Sequence, residues 1–214
     1  MAVRSAALHM AQGLRVLFIS PLFSPFQIEV GEALNRCPGI DYRAVFPMRL
    51  REGRRQPHWA RYDYDASRYE VMPEAQEPEA WLVQRIRELR PDVLISGQSM
   101  GPLYSAVLRT WPEQEYRLGF WMEPPDPFKP AARRVATKEL TRLRLSLADF
   151  VFGIGLRAEQ FYRSCAPQAD VTLVPYGEDL SACFAASERD KPSDKLSFLF
   201  SGQLIPRHNI PWIL

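Results

Sequence analysis

The sequence predicts an α/β fold, a Rossmann-like parallel sheet with helices on both faces. Three observations predict it. Short apolar runs such as Arg15–Ser20 (RVLFIS) and Asp92–Ser96 (DVLIS) lack polar alternation, as strands covered on both faces do. These runs alternate with stretches of helical periodicity over short connections, the pattern of crossover units. The 214 residues are 46% apolar and 12% aromatic, enough for a sizeable core. No internal repeat or long low-complexity segment interrupts the pattern.

The elements follow in chain order. Met1–Gly13 reads as a leader, and Arg15–Ser20 as the first strand. Phe26, Val30, Ala33 and Leu34 then mark one face of a helix that Pro38-Gly39 ends. Tyr42–Phe46 is a second strand and Tyr69–Met72 a brief third. Pro78 suits a first helical turn, and Glu79 favours its positive end. Leu82, Ile86 and Leu89 continue that helix to Pro91, and Asp92–Ser96 is the next strand. The turn Ser96–Gly101 leads into helix Pro102–Thr110, then strand Tyr116–Met122 and the proline-rich loop Glu123–Pro130. Ala136, Leu140, Leu143 and Leu147 give a long helix whose cations lie mostly off the stripe. Strand Asp149–Gly153, helix Leu156–Cys165 and strand Val171–Val174 complete the series.

The domain would span residues 14–185. Residues 186–195, charged and holding Pro192, read as a linker. Residues 196–214 open like a second domain that is cut short: apolar strand Leu196–Phe200, small turn Ser201-Gly202, then a polar loop.

Bulk properties exclude several classes. A formal charge of +2 gives no global case for a nucleic-acid partner. Three unpaired cysteines suit a reducing compartment, and three distant histidines lack the spacing of a metal site. Val16–Phe23 is apolar for eight residues only, too short to span a bilayer, and residues 1–13 lack a signal-peptide core. A cytoplasmic location is expected. Arg49–Tyr64 interleaves five arginines with His58, Trp59, Tyr62 and Tyr64. It reads as a solvated loop, compatible with peripheral contact to an anionic acceptor or headgroup.

Ligands of open parallel sheets bind at the carboxyl ends of the strands. None of those loops holds G-x-G-x-x-G, a P-loop or a nucleophile elbow, so hydride transfer, P-loop chemistry and a hydrolase triad lack support. Gly202, Gln203, Arg207 and His208 form the candidate diphosphate loop: a glycine admits close backbone approach and cations follow.

The pieces LRVLFISPLFSPF, RPDVLISGQS, ADFVFGIGLRAEQFY, VTLVPYGEDLSACF and KLSFLFSGQLIPRHN occur in an order that resembles the group 1 glycosyltransferases of GT-B fold. That family closes its first domain with a "PNGVD" strand end and a later phenylalanine. Pro175, Gly177, Asp179 and Phe184 match it, with Tyr176 in place of asparagine. The second domain of the family opens with "fvGRLxxxKG". Phe200, Gly202 and Leu204 match, while Gln203 and His208 stand where arginine and lysine are usual.

The resemblance covers residues 14–209 and implies the acceptor-side half of a GT-B fold. It implies sugar transfer with retention from a nucleotide-sugar, needing no metal or other cofactor, to a sugar, lipid-linked or small-molecule acceptor. It places acceptor contacts at Ser20, Gln27, Ser99 and Glu123. In that family the donor-gripping Glu-x7-Glu motif lies well into the second domain, past the point this sequence reaches, so a truncated form or a complementing donor-domain chain is expected. The alternative is a non-catalytic binding or interaction protein that keeps the acceptor-side domain.

Overall fold

A computed structural model gives the structure of residues 13–21, 23, 25–47, 64–98, 101–113, 116–126 and 130–175. All belong to the first of the two units into which the chain divides, Met1–Glu178 and Asp179–Leu214. The expected leader apart from Gly13, the linker, the second-domain start and most of the basic loop lie outside the described residues.

The described elements are β1 (Leu14–Ile19), α1 (Pro25–Asn35), β2 (Ile40–Phe46), β3 (Tyr69–Val71), α2 (Pro78–Leu89), β4 (Val93–Ser96), α3 (Gly101–Thr110), β5 (Arg117–Met122), α4 (Ala131–Arg144), β6 (Phe150–Gly153), α5 (Leu156–Cys165) and β7 (Asp170–Leu173). The sheet order is β3-β2-β1-β4-β5-β6-β7, and every neighbouring pair is parallel. This is the doubly wound order, in which the chain reverses its direction of travel across the sheet between β1 and β4.

The uniform apolarity of β1 has the predicted cause. Leu17 and Ile19 join one core with α2, α3 and α5, through Leu82, Ile86, Leu103, Val107, Ala158 and Tyr162. Val16 and Phe18 join the opposite core with Ile28 of α1 and with Tyr42, Phe46 and Tyr69.

Two helices differ from the sequence expectation. Among the described positions of α1 the fully buried ones are Ile28 and Gly31; Leu34 of the expected stripe packs against the same core, while Ala33 is exposed. The helix crosses the sheet so closely that a Cβ on Gly31 would stand 2.4 Å from Tyr69 Oη and 2.6 Å from Tyr42 Cε1. A glycine carries no hydropathy signal, so periodicity placed the face one step away. The helix after β5 ends at Arg144, and Leu145–Leu147 form a separate 3-10 turn. Its fully buried residue is Leu145, whereas Leu140 and Leu143 of the expected stripe are exposed.

Helix α2 has strong ends. Glu77 accepts a hydrogen bond from the Ala80 N–H at 2.9 Å, Pro78 opens the first turn and Glu79 sits near the positive end. At its C-cap, Arg90 has φ 43, a left-handed conformation that disfavours a Cβ. Arg90→Gly is expected to raise stability by about 0.5–1 kcal/mol, read as an upward shift in thermal midpoint.

Candidate functional site

The reversal between β1 and β4 marks the position at the carboxyl edge of the sheet where such folds place ligands. β1 delivers Ser20 to it. The Ser20 N–H donates to the Val45 carbonyl at 3.2 Å, which continues the β1–β2 ladder past the strand end. The side chain of Ser20 is 4% exposed. Gln27, in the first turns of α1, donates from Nε2 to Ser20 Oγ at 2.5 Å. Two of the predicted acceptor residues are thus brought together, across a loop that Pro21 and Pro25 shape.

From β4 comes a contact that sequence reasoning missed. Ser96 is fully buried; its Oγ donates to the Gln98 carbonyl at 2.7 Å and so closes a tight turn. Gly97 donates its N–H to the Ile19 carbonyl at 2.8 Å. A Cβ there would stand 3.4 Å from that oxygen and 3.6 Å from Ser20 Cα. The two loops therefore touch through backbone, and Ser20, Gln27, Gly97 and Gln98 come together at the switch point. The small pair after an apolar strand was the available signal for Ser96 and Gly97. Ser99, chosen from the same turn, lies outside the described residues.

Glu123 follows β5 directly and is exposed. Its strand end is two strands from β1, roughly 10 Å along the same edge. The position of its backbone is fixed by Tyr162 of α5, whose hydroxyl donates to the Glu123 carbonyl at 2.6 Å. Burial keeps that phenol protonated far above its ordinary range, with Cys165 and Glu123 nearby reinforcing the shift, so the tie persists at neutral pH. Beyond it, Trp121 donates from Nε1 to the Val174 carbonyl at 3.1 Å and packs against Phe18. Phe120 is fully buried. Both aromatics serve packing, in keeping with their position inside a strand.

Gly202, Gln203, Arg207 and His208 lie outside the described residues. Among the described residues no three His, Cys, Asp or Glu are grouped to hold a metal ion. Nor is any described helix long and apolar enough to cross a membrane. A concavity lined by Arg15, Asp41, Arg43, Glu88 and Pro91 opens at the amino edge of the sheet. There Arg15 and Asp92 are bridged twice, at 2.8 and 3.1 Å, which ties β1 to the start of β4 and gives that end a structural role.

These features define the chain's class: a doubly wound α/β domain with a polar side-chain pair at its switch point. No family model matches the sequence, and no curated protein matches it. Among solved structures it is similar to the apo form of the lipopolysaccharide outer core galactosyltransferase WaaB, at 15% identity and a TM-score of 0.48. That likeness covers 76% of this chain and 45% of WaaB, so the chain spans less than half the length of that protein. The strand order, and not this likeness, defines the fold class.

Proposed function

We propose that this chain is the acceptor-side domain of a retaining, nucleotide-sugar-dependent glycosyltransferase. The observation that carries the reading is the polar pair at the switch point, where the Gln27 amide meets the Ser20 hydroxyl. Such a pair offers both donors and acceptors to the hydroxyls of a sugar, lipid-linked or small-molecule acceptor. The ordered sequence pieces that lead to Pro175 and on to Gly202 support the same reading. Glu123, on the same edge, supplies a carboxylate for an acceptor hydroxyl. The departing diphosphate falls to the backbone of Gly202, the Gln203 amide, Arg207 and His208. These would stabilise negative charge as it develops, and positioning of the acceptor supplies the rest. Of the four, Arg207 is a permanent cation, whereas His208 carries charge only when its imidazole is protonated.

The test is calorimetric titration of the full chain with UDP, GDP and their sugar conjugates. One of the nucleotides is expected to bind, and Arg207→Ala is expected to weaken it about tenfold, the worth of one charge-assisted contact. Binding that is insensitive to Arg207→Ala would remove the diphosphate assignment. The absence of binding to every nucleotide would favour the second reading, a non-catalytic binding protein. The uncharged Gln203, where the resembling family carries arginine, already favours that reading in part.

A further inference from the structure

We infer that α4 is an attachment surface for an anionic lipid bilayer. The inference rests on this helix alone and stands whether or not the chain is a transferase.

The helix reads AARRVATKELTRLR. Ala132, Ala136, Leu140 and Leu143 recur at spacings that place them on one side, with Val135 at the border. A stripe of this kind ordinarily faces a core. Here it faces away: Val135 is 66% exposed, Leu140 45% and Leu143 69%. The half-buried positions are Thr137, Thr141 and Arg144, on the other side of the helix. The domain therefore holds α4 by a polar edge and presents its apolar residues outward.

The charges are arranged to match. The helix carries five cations and one carboxylate. Arg133 and Arg144 border the stripe beyond Leu140, while Arg142 and Lys138 border it beyond Val135. Among the described residues no ion pair engages any of these cations. A helix that lies in a bilayer interface has this cross-section: leucines enter the acyl boundary, and long cationic side chains reach the phosphates beside them.

The same features argue against a protein occupant. The stripe has no aromatic anchor of the kind that dominates protein interfaces. A second copy of α4 would set five cations against five. Glu139 lies within the stripe, which limits depth and makes attachment depend on the flanking cations. The Tyr104 hydroxyl donates to the Arg144 carbonyl at 2.9 Å and fixes the far end of the helix. The near end follows the loop from β5, so the bound surface would lie beside the edge that carries Glu123.

The experiment is flotation of the full chain with vesicles. One set contains phosphatidylcholine and phosphatidylglycerol in roughly equal parts, the other phosphatidylcholine alone. Binding to the mixed vesicles is expected, weaker by about tenfold or more on the neutral ones. Leu140→Gln with Leu143→Gln, and separately Arg133→Glu with Arg134→Glu and Lys138→Glu, should each lower binding by about tenfold or more. Glu139→Gln should raise it. All these positions are exposed, so circular dichroism and thermal midpoints should stay unchanged. A Leu143→Trp reporter should shift its emission to the blue on the mixed vesicles. No binding of the unaltered chain to mixed vesicles overturns the inference, as does binding indifferent to both sets of variants. Sedimentation that reveals a dimer abolished by the leucine variants also overturns it, and assigns the stripe to a second copy.

Discussion

Gly153→Ala is expected to lower the stability of the chain by roughly 2–3 kcal/mol. Gly153 ends β6 and is buried under the first turn of α5. A Cβ at this position would stand 2.7 Å from the Glu159 nitrogen, 3.0 Å from Glu159 Cα and 3.1 Å from the Ala158 carbonyl carbon. All three are backbone atoms, so no rotamer change relieves the overlap and the helix itself must move. Yet α5 is held on several sides. Ala158 is fully buried, and Ala158 and Glu159 both donate to the Gly155 carbonyl, at 3.0 and 3.1 Å. Tyr162 is tied to the Glu123 carbonyl. Displacement of the helix should therefore disturb the loop after β5 as well as stability.

Two neighbouring glycines serve as controls. At Gly119 a Cβ would fall 2.0 Å from a carbon of the Phe150 ring, but that ring is only half-buried and can turn aside. At Gly155 nothing lies within 4 Å, and the cost of alanine is the φ of +90 alone, about 1–2 kcal/mol. Urea midpoints of the three alanine variants should place Gly153→Ala lowest. A Gly153→Ala protein within about 0.5 kcal/mol of the parent would show that α5 yields without strain.

These glycines also mark where sequence reading stops. Strands β1, β4, β5 and β6 were legible because burial on both faces leaves an apolar run, as in Val16–Ile19. The parallel order followed from the alternation of such runs with helices. Close approach is different: it is achieved by the absence of a side chain, which periodicity does not register. So Gly31 was passed over for Ala33, and Gly97 for Ser99. The stripe on α4 failed for another reason. Periodicity reports that one side of a helix is apolar, not what covers that side. Leu145 fills the core place expected for Leu143 because the chain tightens into a 3-10 turn before β6. At the site, Ser20 and Gln27 were legible singly, as polar residues in the first carboxyl-edge loop. Their mutual hydrogen bond depends on how α1 leaves that loop, which composition does not encode.

A second large effect is expected at alkaline pH, where the chain should unfold cooperatively between about pH 10 and 12. Four phenols carry it. Tyr42 is buried among Phe18 and its neighbours in the α1 core, and burial raises its ionisation well above the ordinary value. Tyr69 is raised by burial and then by the hydrogen bond it donates to Glu32 at 2.9 Å. Tyr162 is raised by burial beneath the Glu123 loop. Tyr116 is pushed up to about 12 by burial, though its hydroxyl shares a hydrogen bond of 2.8 Å with Thr110 Oγ1. The sign follows from where protons are held. Below pH 10 each phenol is protonated whether the chain is folded or not, and stability is at its full value. Above pH 10 the unfolded chain releases these protons while the folded chain retains them, so stability falls as pH rises. For Tyr116 alone the loss by pH 12 is on the order of 2–3 kcal/mol. Four such groups together reach the roughly 5–15 kcal/mol that holds a domain folded. Tyrosinate absorbance and circular dichroism, followed against pH, should therefore change together in one steep step. A smooth tyrosine titration centred near pH 10, with ellipticity unchanged, would contradict the burial of all four. Tyr116→Phe separates the contributions. It should cost about 1 kcal/mol at neutral pH through the lost Thr110 bond, and move the alkaline transition upward because one fewer buried proton is at stake.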